Sequence, residues 1–134
     1  LFALDGVRVL IDTAPELRLQ CLAQGVRHIE ALCFTHHHAD HVVGLDDVRI
    51  FCRRLPAGLP VYGSAPTLAY LRGMFAYAFD DAPDYPSEKP TLVAHEVRGP
   101  FAALVRSTFA CLTSASSESH SALAASHSMR ISTE

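Results

Sequence analysis

Two periods of apolar and polar residues interleave along this chain, and the switches between them mark its elements. Residues 6–13 (GVRVLIDT) put the β-branched Val7, Val9 and Ile11 on one face and predict a strand. Asp12-Thr13-Ala14-Pro15 ends it, and Pro15 suits the first turn of a helix running to Ala23. There Leu17, Cys21 and Leu22 stand near i, i+4 spacing, with Gly25 as the expected stop. Residues 29–35 (IEALCFT) are largely apolar, the pattern of a strand buried on both faces. A short helix over 45–54, ended before Pro56, and a short strand over 59–62 follow. Residues 66–79 give the clearest helix, with Leu68, Leu71, Phe75, Ala78 and Phe79 as one apolar stripe. Residues 80–90, rich in proline and aspartate, predict a loop, and 91–97 a further strand. Strand and helix alternate throughout, which argues for a layered α/β architecture.

Composition narrows this picture. The 134 residues suffice for one domain with a core and are too few for two. Apolar residues make up 49% and charged residues 19%, a globular balance. A net charge of -3 offers no basic footprint for nucleic acid. Cys21, Cys33, Cys52 and Cys111 lie far apart without a CxxC pair, so neither a zinc ribbon nor a disulfide framework is expected. A reducing cytoplasm is the expected compartment. Asp5 and Arg8 interrupt the opening apolar run, so no signal peptide or membrane span is expected. The chain opens on Leu1 without an initiator Met and reads as a piece of a longer sequence. All seven glycines and all eight prolines precede residue 101, whereas nine of the eleven serines lie in 107–134. Two segments are therefore expected: a partial domain over 1–106 and a Ser-rich atypical tail over 107–134, disordered or foreign to the domain.

The chemistry concentrates in His36-His37-His38-Ala39-Asp40-His41, of the form His-x-His-x-Asp-His. In an extended loop, residues two apart point the same way, so His36 and His38 can reach one metal. Asp40 and His41 follow as the loop turns and can serve a second. Imidazole nitrogen with carboxylate oxygen suits zinc, and also manganese or iron. The bland alternative is a solvated surface run of histidines. The apolar strand before the cluster and Gly44 after it weigh against that, since they give the donors a rigid base.

The run from Phe34 through His36, His38, Asp40 and His41 to Gly44-Leu45 resembles the signature of the metallo-β-lactamase superfamily, and Leu10-Ile11-Asp12-Thr13 resembles the strand preceding its site. The resemblance covers residues 4–100 and implies the amino-terminal half of an αββα sandwich, incomplete in this chain. Gly44-Leu45-Asp46-Asp47-Val48-Arg49, Leu59-Pro60-Val61-Tyr62-Gly63 and the end of the 66–79 helix most resemble the phosphoribosyl 1,2-cyclic phosphate phosphodiesterases of phosphonate breakdown. Carried over, this makes His36 and His38 ligands of a first divalent metal, and Asp40 and His41 ligands of a second. Zinc is the metal favoured, with manganese or iron as alternatives. Asp12 becomes an outer carboxylate orienting the loop's imidazoles. Asp46 and Asp47 are the alternatives for that role, although exposed helix-start acids are the simpler reading. His37 becomes a spacer and His28 a surface residue. The implied chemistry is opening of a cyclic phosphate diester by metal-activated hydroxide, with Asp40 both ligand and catalytic orienting group. The implied partner is a small phosphorylated substrate; a homodimer is a candidate assembly that the sequence leaves open, and neither nucleic acid nor membrane is expected.

Rivals of the same fold are a thioesterase, a lactonase and a tRNA 3′-processing nuclease. His41 argues against a true β-lactamase, and Asp46-Asp47 stands where the nuclease carries Pro-Gly. From a different class comes a non-catalytic metal-binding fragment. Downstream of the cluster the only histidines are His95, His120 and His127, and no Asp follows Asp84. A bridging carboxylate could come only from Glu88, Glu96, Glu118 or Glu134, and His95 reads as a packed or edge histidine. Four donors from one loop hold a single metal loosely, so poor turnover and an uncovered sheet face are expected of this chain.

Overall fold

The computed structural model describes residues 1–4, 6–80 and 85–98. Five strands, β1 (Phe2–Leu4), β2 (Val7–Ile11), β3 (Ala31–Cys33), β4 (Leu59–Gly63) and β5 (Leu92–Glu96), form one sheet in the order of the chain. β1 pairs antiparallel with β2, and every later pair is parallel. Parallel neighbours need crossovers. These are α1 (Leu17–Ala23) between β2 and β3, then α2 (Ala39–Val42), a 3-10 turn at Val43–Val48 and α3 (Arg49–Cys52) between β3 and β4. Helix α4 (Ala65–Met74) and a 3-10 turn at Ala76–Ala78 lead to β5. The expected α/β class is what the chain builds: one mixed five-stranded sheet with its crossover helices.

Alternation along the strands sorts the side chains into two clusters. Leu10, Leu32, Leu59 and Val61 face the helices and pack with Leu17, Cys21, Val42, Leu45, Val48, Phe51, Leu68 and Leu71. The opposite face carries Val9, Ala31 and Cys33, flanked by the partly buried Val7, Ile11 and Tyr62. All of these lie on strands, so among the described residues no helix joins that cluster. β3 is buried on both faces, as its continuous apolar run predicts.

Four details depart from the sequence reading. The expected short helix over 45–54 is a 3-10 turn at Val43–Val48 that runs into the four-residue α3. The expected 66–79 helix stops at Met74: Phe75 leaves helical geometry at φ −122°, ψ 43°. The chain re-enters as a 3-10 turn that keeps Phe75 and Ala78 in the core while Tyr77 swings to Asp46. Leu22 is 70% exposed rather than core, because five residues on from Leu17 a helix has turned about 140° away. β1 was unforeseen, being only three residues long and registered by its pairing with β2 (Phe2↔Val9, Leu4↔Val7). The proposed 107–134 tail, with Cys111, Glu118, His120, His127 and Glu134, lies outside the described residues.

Candidate metal centre

The parallel strands β2, β3 and β4 all point their carboxyl ends to one edge of the sheet, where open α/β folds place their sites. Asp12 follows β2 there, and Thr35 with His36 follows β3. The backbone at Asp12 sits at φ +58°, in the left-handed region that Asp tolerates better than most residues. That turn lifts its carboxylate off the strand line and over the end of β3.

Two stitches dock the histidine loop against it. The Thr13 amide donates to the His41 carbonyl at 2.7 Å, and the Gly44 amide donates to the Thr13 carbonyl at 2.9 Å. The fully buried Thr13 hydroxyl donates to the Val42 carbonyl at 3.2 Å. Gly44 lies so close to residues 13–14 that a Cβ would collide with the Ala14 carbonyl oxygen. Glycine is required here by close approach rather than by a turn.

The Asp12 carboxylate gathers three donors. Its Oδ1 accepts the Thr35 amide at 2.9 Å, and its Oδ2 accepts the Thr35 hydroxyl at 2.8 Å. Oδ2 also accepts His41 Nδ1 at 2.9 Å. This hydrogen bond, with the nearby charges of Asp12 and Asp40, raises the His41 pKa above its ordinary value against a partial loss of solvation. The Thr35 hydroxyl has one proton, given to Asp12, so it accepts from His36 Nδ1 at 3.0 Å. Asp12 therefore holds the Nδ1 side of His41 directly and of His36 through Thr35, so that Nε2 is the nitrogen of each ring turned away from the hub. The sequence reading missed Thr35 and Thr13: each is an ordinary residue whose role exists only once β2 and β3 are paired.

The imidazoles of His36, His38 and His41 cluster, with ring centroids 4.5 Å apart for His36–His38 and 4.0 Å for His36–His41. Asp40 is 78% exposed in its side chain, its Oδ2 standing 3.4 Å from His41 Nε2. His37 points away and meets the Tyr70 ring at 4.8 Å. Asp46 and Asp47 are engaged elsewhere: Asp46 accepts from Tyr77 at 2.8 Å and pairs with Arg49, and Asp47 lies 3.7 Å from Arg49. His28 pairs with Glu30 at 3.8 Å. His95 is exposed on edge strand β5, stacked on Tyr62. Burial, with Asp12 nearby, pushes the Cys33 thiol up, so it stays neutral.

The donor set fits a divalent metal in kind: three clustered imidazoles, two of them with their Nδ1 fixed by hydrogen bonds, and one exposed carboxylate. It does not close around one. Among the described residues no group of three or more His, Cys, Asp or Glu side chains is placed so as to hold a metal ion. Nor, among the described residues, is any helix long and apolar enough to cross a membrane.

Comparison with known proteins decides the family. A β-lactamase superfamily domain matches residues 7–131. The chain belongs to the metallo-β-lactamase superfamily. Within the superfamily it superposes on a new diphosphatase from the PhnP family with TM-score 0.62 and 33% identity, over 76% of this chain and 37% of that one. Zn(2+)-bound PqqB from Methylobacterium extorquens shares the fold at TM-score 0.52 and 23% identity, over 75% of this chain and 35% of that one. An octanoyltransferase from Porphyromonas gingivalis is 40% identical over 93 residues, 69% of this chain and 18% of that protein. Ribonuclease Z from Clostridium acetobutylicum is 40% identical over 47 residues, 34% of this chain and 15% of its own length. The chain thus spans less than a fifth of the curated relatives it matches.

Proposed function

We propose that this chain carries the metal-binding loop of a metal-dependent hydrolase acting on a phosphate ester. His36 and His38 would hold a first divalent metal and Asp40 and His41 a second, with Asp12 and Thr35 orienting His41 and His36 from behind. The observation that carries the reading is the Asp12 hub: it engages the Nδ1 side of two clustered imidazoles and so leaves Nε2 as the donor atom each would offer a metal. A divalent metal bound there supplies Lewis acidity for phosphate oxygens and lowers the pKa of water toward roughly 7. The chain's own contribution is to hold the donors, fix their tautomers and leave Asp40 exposed to orient the attacking water. The likeness to a PhnP-family diphosphatase supports phosphorus chemistry over the thioesterase and lactonase readings. The net charge of -3 favours a small phosphorylated substrate over tRNA. On this reading a cyclic phosphate diester is the substrate opened, zinc is the favoured metal and the cytoplasm is the compartment.

Hydrolysis of bis-p-nitrophenyl phosphate by the full chain, with zinc or manganese added, tests this. The expected result is slow, metal-dependent release of p-nitrophenol that disappears in His38→Ala and Asp40→Asn. Thioester or lactone cleavage without diester cleavage would overturn the substrate class. Metal binding with no turnover of any of these would favour the non-catalytic fragment.

A further inference from the structure

His37 breaks the pattern of its neighbours. His36, His38 and His41 turn toward each other, whereas the His37 ring lies 4.8 Å from Tyr70 with 38° between planes, and 5.9 Å from His38. Tyr70 belongs to α4, which starts directly after the carboxyl end of β4 and so rises beside the histidine loop. The buried face of α4 is Thr67, Leu68 and Leu71, and Tyr70 is 42% exposed outside that face. Core packing therefore does not account for its ring, whose one ring contact is His37 among the described residues. Two aromatic rings are held against each other, partly open to solvent, next to the cluster.

We infer that Tyr70, backed by His37, is a specificity-determining platform that stacks the planar ring of an aromatic or heteroaromatic phosphate ester whose phosphate sits at the histidine cluster. The inference rests on the phosphate-ester reading above. Stacking on an aromatic side chain is indifferent to ring identity, because every planar base or aryl group presents a π face. The platform thus selects esters with a flat substituent over aliphatic ones.

The test measures dissociation constants of p-nitrophenyl phosphate and methyl phosphate by calorimetry on the zinc-loaded full chain. Wild type is compared with Tyr70→Leu, Tyr70→Phe and His37→Leu, and the melting temperature of each is recorded. The wild type is expected to prefer the aryl ester. Tyr70→Leu should cut that preference about 5-fold or more, the lower end of what a stacked ring contributes. Tyr70→Phe should keep it, His37→Leu should weaken it, and methyl phosphate affinity should not move in any variant. A lower melting temperature in Tyr70→Leu with the aryl preference intact would make the ring contact merely structural and overturn the platform. So would equal affinity for both esters in the wild type. Aryl binding without methyl phosphate binding would leave the platform standing and remove the phosphate reading, and binding of neither would overturn both.

Discussion

Asp12→Asn isolates the hub with little other disturbance. Asn tolerates the left-handed φ of +58° as Asp does, so the backbone turn is retained. What changes is acceptor count. The carboxylate serves Thr35 N–H on one oxygen, and the Thr35 hydroxyl with His41 Nδ1 on the other. An amide has one oxygen, so in either orientation an NH2 faces at least one of these donors. With the NH2 on the Oδ2 side, His41 relieves the clash by moving its proton to Nε2, and the Thr35 hydroxyl turns toward His36, which must then do the same. Both moves block the nitrogens proposed to face metal. Losing an orienting carboxylate of this kind lowers metal affinity about 10- to 100-fold, or about 1.4–2.8 kcal/mol. Calorimetric zinc titration of wild type and variant reads the affinity, and nitrogen-detected NMR of the metal-free chain reads the tautomers. Thr35→Val should reproduce the His36 part alone, whereas Thr35→Ser should not. Affinity within about 2-fold of wild type, with the tautomers unchanged, would refute the hub, since it leaves no room for the expected loss.

Two further predictions concern the scaffold. Gly44→Ala forces the loop off residues 13–14 and weakens the Thr13 and Gly44 stitches. Overpacking plus strained hydrogen bonds should cost about 2–4 kcal/mol, a melting point lower by about 8 °C or more; a wild-type melting curve would contradict the close approach. Burial first, and then its hydrogen bond to Asp46, pushes the Tyr77 pKa up to about 12. Its folded-state pKa exceeds the unfolded value of about 10, so the stabilisation is complete below pH ~10 and lost as pH rises toward ~12. Denaturant midpoints of wild type and Tyr77→Phe should differ by a constant amount below pH ~10 and converge above it; a flat difference to pH ~12 would refute the burial.

How much of this was legible beforehand depends on whether the signal is local. The apolar run of 29–35 announces β3 because burial on both faces leaves no polar alternate positions. The i, i+2 spacing of His36 and His38 foretells rings on one side of an extended loop, and they lie 4.5 Å apart. The end of α4 at Met74 was hidden, because Phe75 and Ala78 continue the apolar stripe in a different helical geometry. Thr13, Thr35 and the Gly44 contact were hidden for another reason. Their partners lie more than twenty residues away and are brought together only by the parallel pairing of β2 with β3 and the docking of the histidine loop. The His37–Tyr70 ring contact depends likewise on where α4 begins after β4.

The central claim is that residues 36–41, steadied by Asp12, bind a divalent metal. Zinc content of the purified full chain after equilibrium dialysis, measured beside His38→Ala and His36→Ala, tests it most directly. The account predicts weakly held zinc in the wild type that is lost in both variants while their melting temperatures stay near wild type. A wild type that takes up no zinc, or variants that retain it undiminished, would contradict the account.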